Sequence, residues 1–342
     1  MKTLSAINFV GIGDLHLDGK LSKFIPNLNE VILDEVRKPL DHARRNGIRL
    51  AILYGDICDL PHMSYDATTK LVDLFFEYQD IRFIVLLGNH DIESTEKNSL
   101  QVIQHFCSKG LIPNLKIIDK PTVMFRSRGT PIRFLPWPHF SVREDCLNVI
   151  HIETNGSRWE VGGAIESERD TEYNCVGGHL HTMQISGKKK NIHYSGTLYQ
   201  TSFGEKSSKY FHVGSWDGKT LDLEVVPTTP RYTLINKIVA SQEDLLSIES
   251  DPYKLYKVFV KSGVEMSAET FLTMPNVVKI NTFQNRKELE NLIAEELILG
   301  DASAEINSLS VLDALNNYMV NASVKKSVAD RAREIATSFF NS

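Results

Sequence analysis

Four short runs in this chain join glycine to residues that bind metal ions. They are "GDLHL" with Asp14 and His16, "GDICD" with Asp56 and Asp59, "GNHD" with Asn89, His90 and Asp91, and "GHLH" with His179 and His181. Together they form a mixed oxygen and nitrogen donor set without a thiolate. Such a set favours Mn, Fe, Co, Ni or Zn over Ca or Mg and does not choose among them. A carboxylate can bridge two ions roughly 3.5–4 Å apart, the spacing of two-metal phosphoryl-transfer sites. Two dications facing only Asp14 and Asp56 keep a net positive charge, because Asn and His ligands are neutral. That charge attracts a phosphate and acidifies a water. One such run arises by chance; four in order, each behind a glycine that lets the chain turn tightly, do not.

The chemistry requires that these runs meet in space, and the flanking pattern provides for it. "AINFVGIGDLHL", "RLAILYGDICD" and "IRFIVLLGNHD" are strands that end in the polar clusters. Between them lie helices, "NLNEVILDEVRKPLDHARRNGI" stopping at Gly47 and "SYDATTKLVDLFFEYQ" with Ser64 as N-cap. Parallel α/β sheets place ligands at the carboxyl ends of their strands. In a strand, residues two apart share a side, so Asp14 and His16 point together, as do His179 and His181. After Pro113 the chain is strand-rich: "PTVMFRS", "TPIRFLPWP", "LNVIHIET", "YNCVGGHLH", "MQISG" and "NIHYSGT" predict a second sheet packed on the first. "KYFHVGSWDGKTLDLEVVP" predicts a hairpin turning at Asp217-Gly218. Pro227 and Pro230 mark a linker. Beyond it, "RYTLINKIV", "SQEDLLSIES", "LYKVFVKSG", "NVVKINTF" and "RKELENLIAEEL" predict a small α/β module, and two helices follow from Leu309.

Composition bounds the rest. The 342 residues are 42% hydrophobic and 24% charged, which excludes a wholly disordered, collagenous or coiled-coil chain. A formal net charge of −5 means that any nucleic acid would be met by a local basic surface or a metal site. Cys58, Cys107, Cys146 and Cys175 are scattered without a CxxC and read as reduced thiols of a cytoplasmic protein. "MKTLSAINFVGIGD" lacks signal-peptide architecture, and no apolar run approaches the ~20 residues a membrane helix needs, so no membrane role is expected.

The runs resemble the signature of the calcineurin-like metallophosphoesterase superfamily, D-x-H, GD, GNH[DE] and GHxH, over about the first 215 residues. "IHYSGTLYQTSFGE", Ile192 to Glu205, looks like the segment that follows GHxH in SbcD-type DNA repair nucleases, and "FLPWP" and "GDICD" look like that family too. The layout is similar to its short versions encoded by large phages. The resemblance implies an α/β fold: a four-layer α/β/β/α sandwich over 1–228, a small α/β capping and DNA-binding domain over 231–296, and C-terminal helices over 305–342 that bind a partner. It implies a manganese-dependent DNA exo- and endonuclease acting in recombination and repair with an SbcC-type coiled-coil ATPase. It also implies a homodimer, formed through helices 27–46 and 64–79, within a heterotetramer.

Carried over by motif, one ion takes Asp14, His16, Asp56 and His181. The other takes Asp56, Asn89, His179 and a histidine from the fourth motif, best matched by His151 in "LNVIHIET", although Ile150 stands where that family often has glycine. His139 and His193 are the lesser candidates. His90 is the implied catalytic group that is not a ligand, placed to donate a proton to the leaving oxygen. Asp91 either orients His90 or caps the next helix, and Asp59 and His62 lie near the site or merely in a turn. Lys188, Lys189 and Lys190 in "SGKKKNIHY" form either a DNA clamp or a solvated hairpin tip; Arg126, Arg128 and Arg133 form a second basic candidate. A phosphomonoesterase or cyclic-nucleotide phosphodiesterase would share the same motifs, and a non-catalytic scaffold would not need them intact.

Overall fold

The computed structural model describes residues 6–94, 97–125, 130–159, 164–264, 274 and 276–301. Strands β1 (Ile7–Ile12), β2 (Leu50–Leu53), β3 (Arg82–Leu86) and β4 (Leu115–Ile118) run parallel, and the hairpin β11 (Lys209–Trp216) and β12 (Leu221–Thr228) closes one edge antiparallel, in the order β12-β11-β1-β2-β3-β4. A second sheet has the order β5-β6-β7-β8-β10-β9, from β5 (Thr122–Phe125), β6 (Pro131–Leu135), β7 (Leu147–His151), β8 (Cys175–Gly178), β9 (Gln184–Ser186) and β10 (Ile192–Tyr194). Helices α1 (Leu28–Arg45), α2 (Tyr65–Glu77) and α3 (Gln101–Ser108) cover the outer face of the first sheet.

Period-2 alternation assigns each strand residue to a layer. In β1, Val10 and Ile12 join the helix-side core with Val36, Leu71 and Phe75. Ile7 and Phe9 face the second sheet with Tyr54, Phe134, Val149 and Trp216. Strands buried on both faces read as unbroken apolar runs, which is why "RLAILY" and "IRFIVLL" are legible as strands. The outer face of the second sheet is covered not by a helix but, among the described residues, by loops carrying Trp137, Phe140, Val142, Trp159 and Ile165. The α/β fold class is thus as expected, but of its four expected layers the second helical one is, among the described residues, formed by loops.

Local signals hold at several points. The Ser64 hydroxyl accepts from the Ala67 N–H at 3.1 Å, and Gly47 ends α1 at φ +68°. Pro227 lies inside β12, where an edge strand tolerates the missing N–H. A third, parallel sheet has the order β13-β14-β15, from β13 (Thr233–Val239), β14 (Lys254–Lys261) and β15 (Val277–Phe283), with α4 (Gln242–Leu246) and α5 (Arg286–Asp301). Helix α3 and strand β4 were not expected. They span eight and four residues, too short for a period to show. The helices expected from Leu309 onward lie outside the described residues.

Between the two sheets sits His212, fully buried on β11. Its Nδ1 meets the Tyr54 hydroxyl at 3.2 Å, and its Nε2 has no hydrogen-bond partner. Burial, with His193 adding to it, pushes this imidazole down to about 3. The unfolded chain therefore binds a proton that the folded one refuses between about pH 6.5 and 3, and stability falls as pH drops through that window. Replacing His212 with glutamine should flatten this acid limb. Between pH 7 and 5 the wild type should lose about 2 kcal/mol more than the variant in urea unfolding; equal losses would reject the assignment.

Candidate metal centre

All four runs arrive at one place, where the carboxyl ends of β1, β2 and β3 meet those of β7 and β8. The close approach requires glycine. A Cβ on Gly88 would stand 2.1 Å from Asp56 Oδ1, and one on Gly178 would stand 2.7 Å from Asp14 Oδ1. His16, Asp56 and His179 adopt φ of +50°, +48° and +85°. Left-handed backbone in such residues costs of order 1–3 kcal/mol each and clusters at functional sites.

Asp14 is held by the N–H of His179, which donates to Oδ1 and Oδ2 at 2.9 and 3.0 Å. Asp56 Oδ1 accepts from the His90 N–H at 2.9 Å, and its Oδ2 lies 3.1 Å from His151 Nε2. Three of the four histidines expected to bind an ion have an oxygen acceptor behind them. His16 Nδ1 faces Asp59 Oδ1 at 3.1 Å, and His181 Nδ1 faces Glu205 Oε1 at 2.9 Å. His151 Nδ1 faces the Tyr54 carbonyl at 2.7 Å; His179 Nε2 lies 3.3 Å from Glu153 Oε2 but makes no hydrogen bond to it. In His16, His181 and His151 an acceptor on one nitrogen fixes the proton there and leaves the lone pair on the other, the usual arrangement of ligating histidines.

Those assignments test whether the site fits metal ions. His16 Nε2 and His181 Nε2 then present lone pairs to each other at 3.0 Å. Asn89 Oδ1 lies 2.9 Å from His179 Nδ1 and 3.1 Å from His151 Nε2, with Asp56 Oδ2 beside them. With each ring neutral, two groups of lone pairs converge on buried sites, and buried acceptors so arranged call for cations or for added protons. The protons show the same demand. Burial opposes charge on His151, yet Asp56 and then Asp14 outweigh it and raise that imidazole to about 9. The donor set fits two divalent ions.

His16, Asp59 and His90 form another cluster with ligand atoms within 4.8 Å. Donors and acceptors are matched there: His90 Nδ1 donates to the Asp59 carbonyl at 2.9 Å while His16 Nδ1 holds the Asp59 carboxylate. That cluster is satisfied without an ion. Burial lowers the His90 imidazole below its ordinary value, with Asp56 working against the shift.

The structure adds residues that the runs did not assign. Glu205, fully buried, also accepts from Lys209 Nζ at 2.5 Å and from Thr201. Glu153 is paired with Arg169, and the Trp159 ring meets the edge of His179 with centroids 5.3 Å apart. Three carboxylates, Asp59, Glu153 and Glu205, thus stand behind the histidines, two of them offset by Arg169 and Lys209. Asp91 neither orients His90 nor caps α3. It accepts from the N–H groups of Ile57, Cys58 and Gly88 and from the Ser99 hydroxyl, pinning the β2 and β3 turns together. His62 is exposed and faces Glu93 at 3.4 Å.

His139 is placed apart from these contacts on the loop after β6, and His193 on β10 lies near His212. Lys188 and Lys189 face Asp170 at 3.3 Å and Glu172 at 2.6 Å, so the basic tip carries its own counter-ions, while Lys190 takes the turn at φ +54°. Arg133 donates to the Ser141 hydroxyl; Arg126 and Arg128 lie outside the described residues. No helix among the described residues is long and apolar enough to cross a membrane.

Compared with known proteins, residues 7–191 match the model of the family described as calcineurin-like phosphoesterase. The chain is also 24% identical over 248 residues to the protein named exonuclease subunit 1 of Enterobacteria phage T4, an alignment covering 66% of this chain and 69% of that protein.

Proposed function

Because this chain belongs to the calcineurin-like phosphoesterase family and is a hydrolase of phosphate esters, we propose that its substrate is DNA and that it is the nuclease subunit of a recombination and repair complex. One observation carries the reading furthest. Glu205, the last residue of the nuclease-like "SFGE" run, is built into the metal centre behind His181. The run that distinguishes this chain from a generic phosphoesterase is thus part of its chemistry. The name of the phage T4 relative supports the same substrate.

Asp14, His16, Asp56 and His181 would hold one ion, and Asp56, Asn89, His151 and His179 the other. Two divalent ions, manganese in this proposal, would acidify a water and neutralise the non-bridging oxygens of a phosphodiester. The chain's own groups do the rest. Asp59, through its carbonyl and its carboxylate, sets the rings of His90 and His16. His90 keeps one proton on Nδ1, so Nε2 is the nitrogen that takes up a second proton, and from the charged ring that proton can pass to the departing sugar oxygen. Lys188, Lys189 and Lys190 contact the DNA backbone. Exposed pairs such as Lys189–Glu172 are worth at most about 1 kcal/mol, so exchange for a phosphate costs little.

The module over 231–296 caps the site, and α1 and α2 form the dimer face. The segment 305–342, outside the described residues, binds an SbcC-type ATPase, and the assembly works in the cytoplasm. The test pairs an end-labelled duplex with a chromogenic bis-ester, in manganese and in chelator. Cleavage of both in manganese and of neither in chelator is expected. Turnover of the ester alone would favour a small-molecule phosphodiesterase, and no turnover of either a scaffold.

A further inference from the structure

The segment 197–205 runs between the metal centre and β13, and it is bonded at both ends. Toward the centre, Glu205 and Thr201 hold His181 Nδ1 at 2.9 and 3.1 Å, and the Tyr199 hydroxyl donates to the Leu15 carbonyl at 3.0 Å, beside His16. Toward the three-stranded sheet, Gln200 is buried and uses its whole amide. Its Nε2 donates to the Glu205 carbonyl at 2.7 Å and the Leu234 carbonyl at 3.1 Å, and its Oε1 accepts from the Leu234 N–H at 2.9 Å. Asn236 Nδ2 donates to the Phe203 carbonyl at 2.8 Å, and Lys257 Nζ lies 4.9 Å from the centre of the Phe203 ring. Leu198, Tyr199 and Phe203 share one apolar core with Leu234 and Leu255.

We propose that Gln200 and Asn236 are positioning residues of the metal centre: through Glu205 they fix His181, so that β13 supports one of the two ions and is felt by it. This rests on the metallophosphoesterase reading of the site. The physical basis is that His181 is aimed only as firmly as its carboxylate, and the backbone on both sides of that carboxylate is tied to β13. A carboxylate behind a ligating histidine typically governs affinity by about 10–100-fold, and the support one step further out should retain a fraction of that. Coupling is reciprocal, so ion binding must also stabilise the β13 contacts. Displacement of the three-stranded module by a partner or by DNA would then loosen one ion and leave the other.

The test uses the full chain, with manganese affinity read by calorimetry and amide exchange followed at Leu234. Asn236→Ala and Gln200→Ala should each weaken one of the two ions by about 5-fold or more and leave the second unchanged. Manganese should slow Leu234 exchange in the wild type. Asn236→Asp, which keeps the shape and loses the donor, covers the case in which an alanine variant fails to fold. Wild-type affinities in the folded variants, or Leu234 exchange indifferent to manganese, would overturn the proposal. So would equal weakening of both ions, the mark of general loosening. A wild type that binds no divalent ion would instead sink the metal-centre reading itself.

Discussion

Replacing His90 by alanine is expected to lower DNA cleavage by about 10²–10⁴-fold, the usual worth of a positioned proton donor, with both manganese ions still bound. The two halves of that result come from different atoms. The side chain of His90 is outside both groups of converging lone pairs, so ion binding does not need it. Its backbone N–H, which donates to Asp56 Oδ1, survives in alanine, so the Asp56 carboxylate keeps its orientation. What is lost is the Nε2 proton. Burial already disfavours the charged ring, so a proton taken up there is readily released. The pH profile carries a second signature. The charged ring is the active form in this role, so wild-type activity should fall as pH rises through its pKa, and the variant should lack that limb. Single-turnover cleavage of an end-labelled duplex, beside manganese calorimetry, reads both. Cleavage retained in the variant would remove His90 from the mechanism, and ion loss would make it a ligand.

What the sequence showed of this site, and what it hid, follows from how far each contact reaches along the chain. The convergence of the four runs was legible because each lies at the end of an apolar strand, where pattern and chemistry coincide within about ten residues. His151 was harder, since only the strand "LNVIH" announces it and its partners, Tyr54 and Asn89, are 97 and 62 residues away. The supports behind the histidines were hidden for the same reason. Asp59 is 43 residues from His16, and Glu153 is a lone acid among many. Glu205 could have been found, because the run containing it was already conspicuous and lacked only a physical role. Asp91 was misjudged for a different reason. Three turn N–H groups had no visible acceptor in the sequence, and the nearest carboxylate went to them rather than to the neighbouring ring. The counter-ions of the lysine tip were hidden because the acids that meet it, Asp170 and Glu172, sit on a loop with no periodic signal.

The second large effect falls on Asp56, and it splits according to whether ions are present. Asp56→Asn keeps the size of the side chain, and asparagine tolerates the φ of +48°, so the turn should survive. The charge beside His151 does not. Manganese affinity should drop by about 10²-fold or more, since even outer partners of a ligand cost 10–100-fold, and cleavage should fall with it. In chelator the same substitution acts on His151. Burial opposes charge on that ring, Asp56 is the largest influence raising it, and the balance stands at about 9. A raised histidine pKa contributes stability that is complete below about 6.5, the unfolded value, and is lost as pH climbs through about 9. The metal-free variant should therefore be less stable than the wild type by about 3 kcal/mol at pH 6. By pH 9.5 the gap should close or change sign, because the wild type then buries an Asp56 charge with neither proton nor ion to meet it. Urea unfolding at the two pH values, run with chelator, measures this. A gap that ignores pH would mean that His151 and Asp56 are not the pair that manganese replaces, and wild-type affinity in the variant would take Asp56 out of the metal centre.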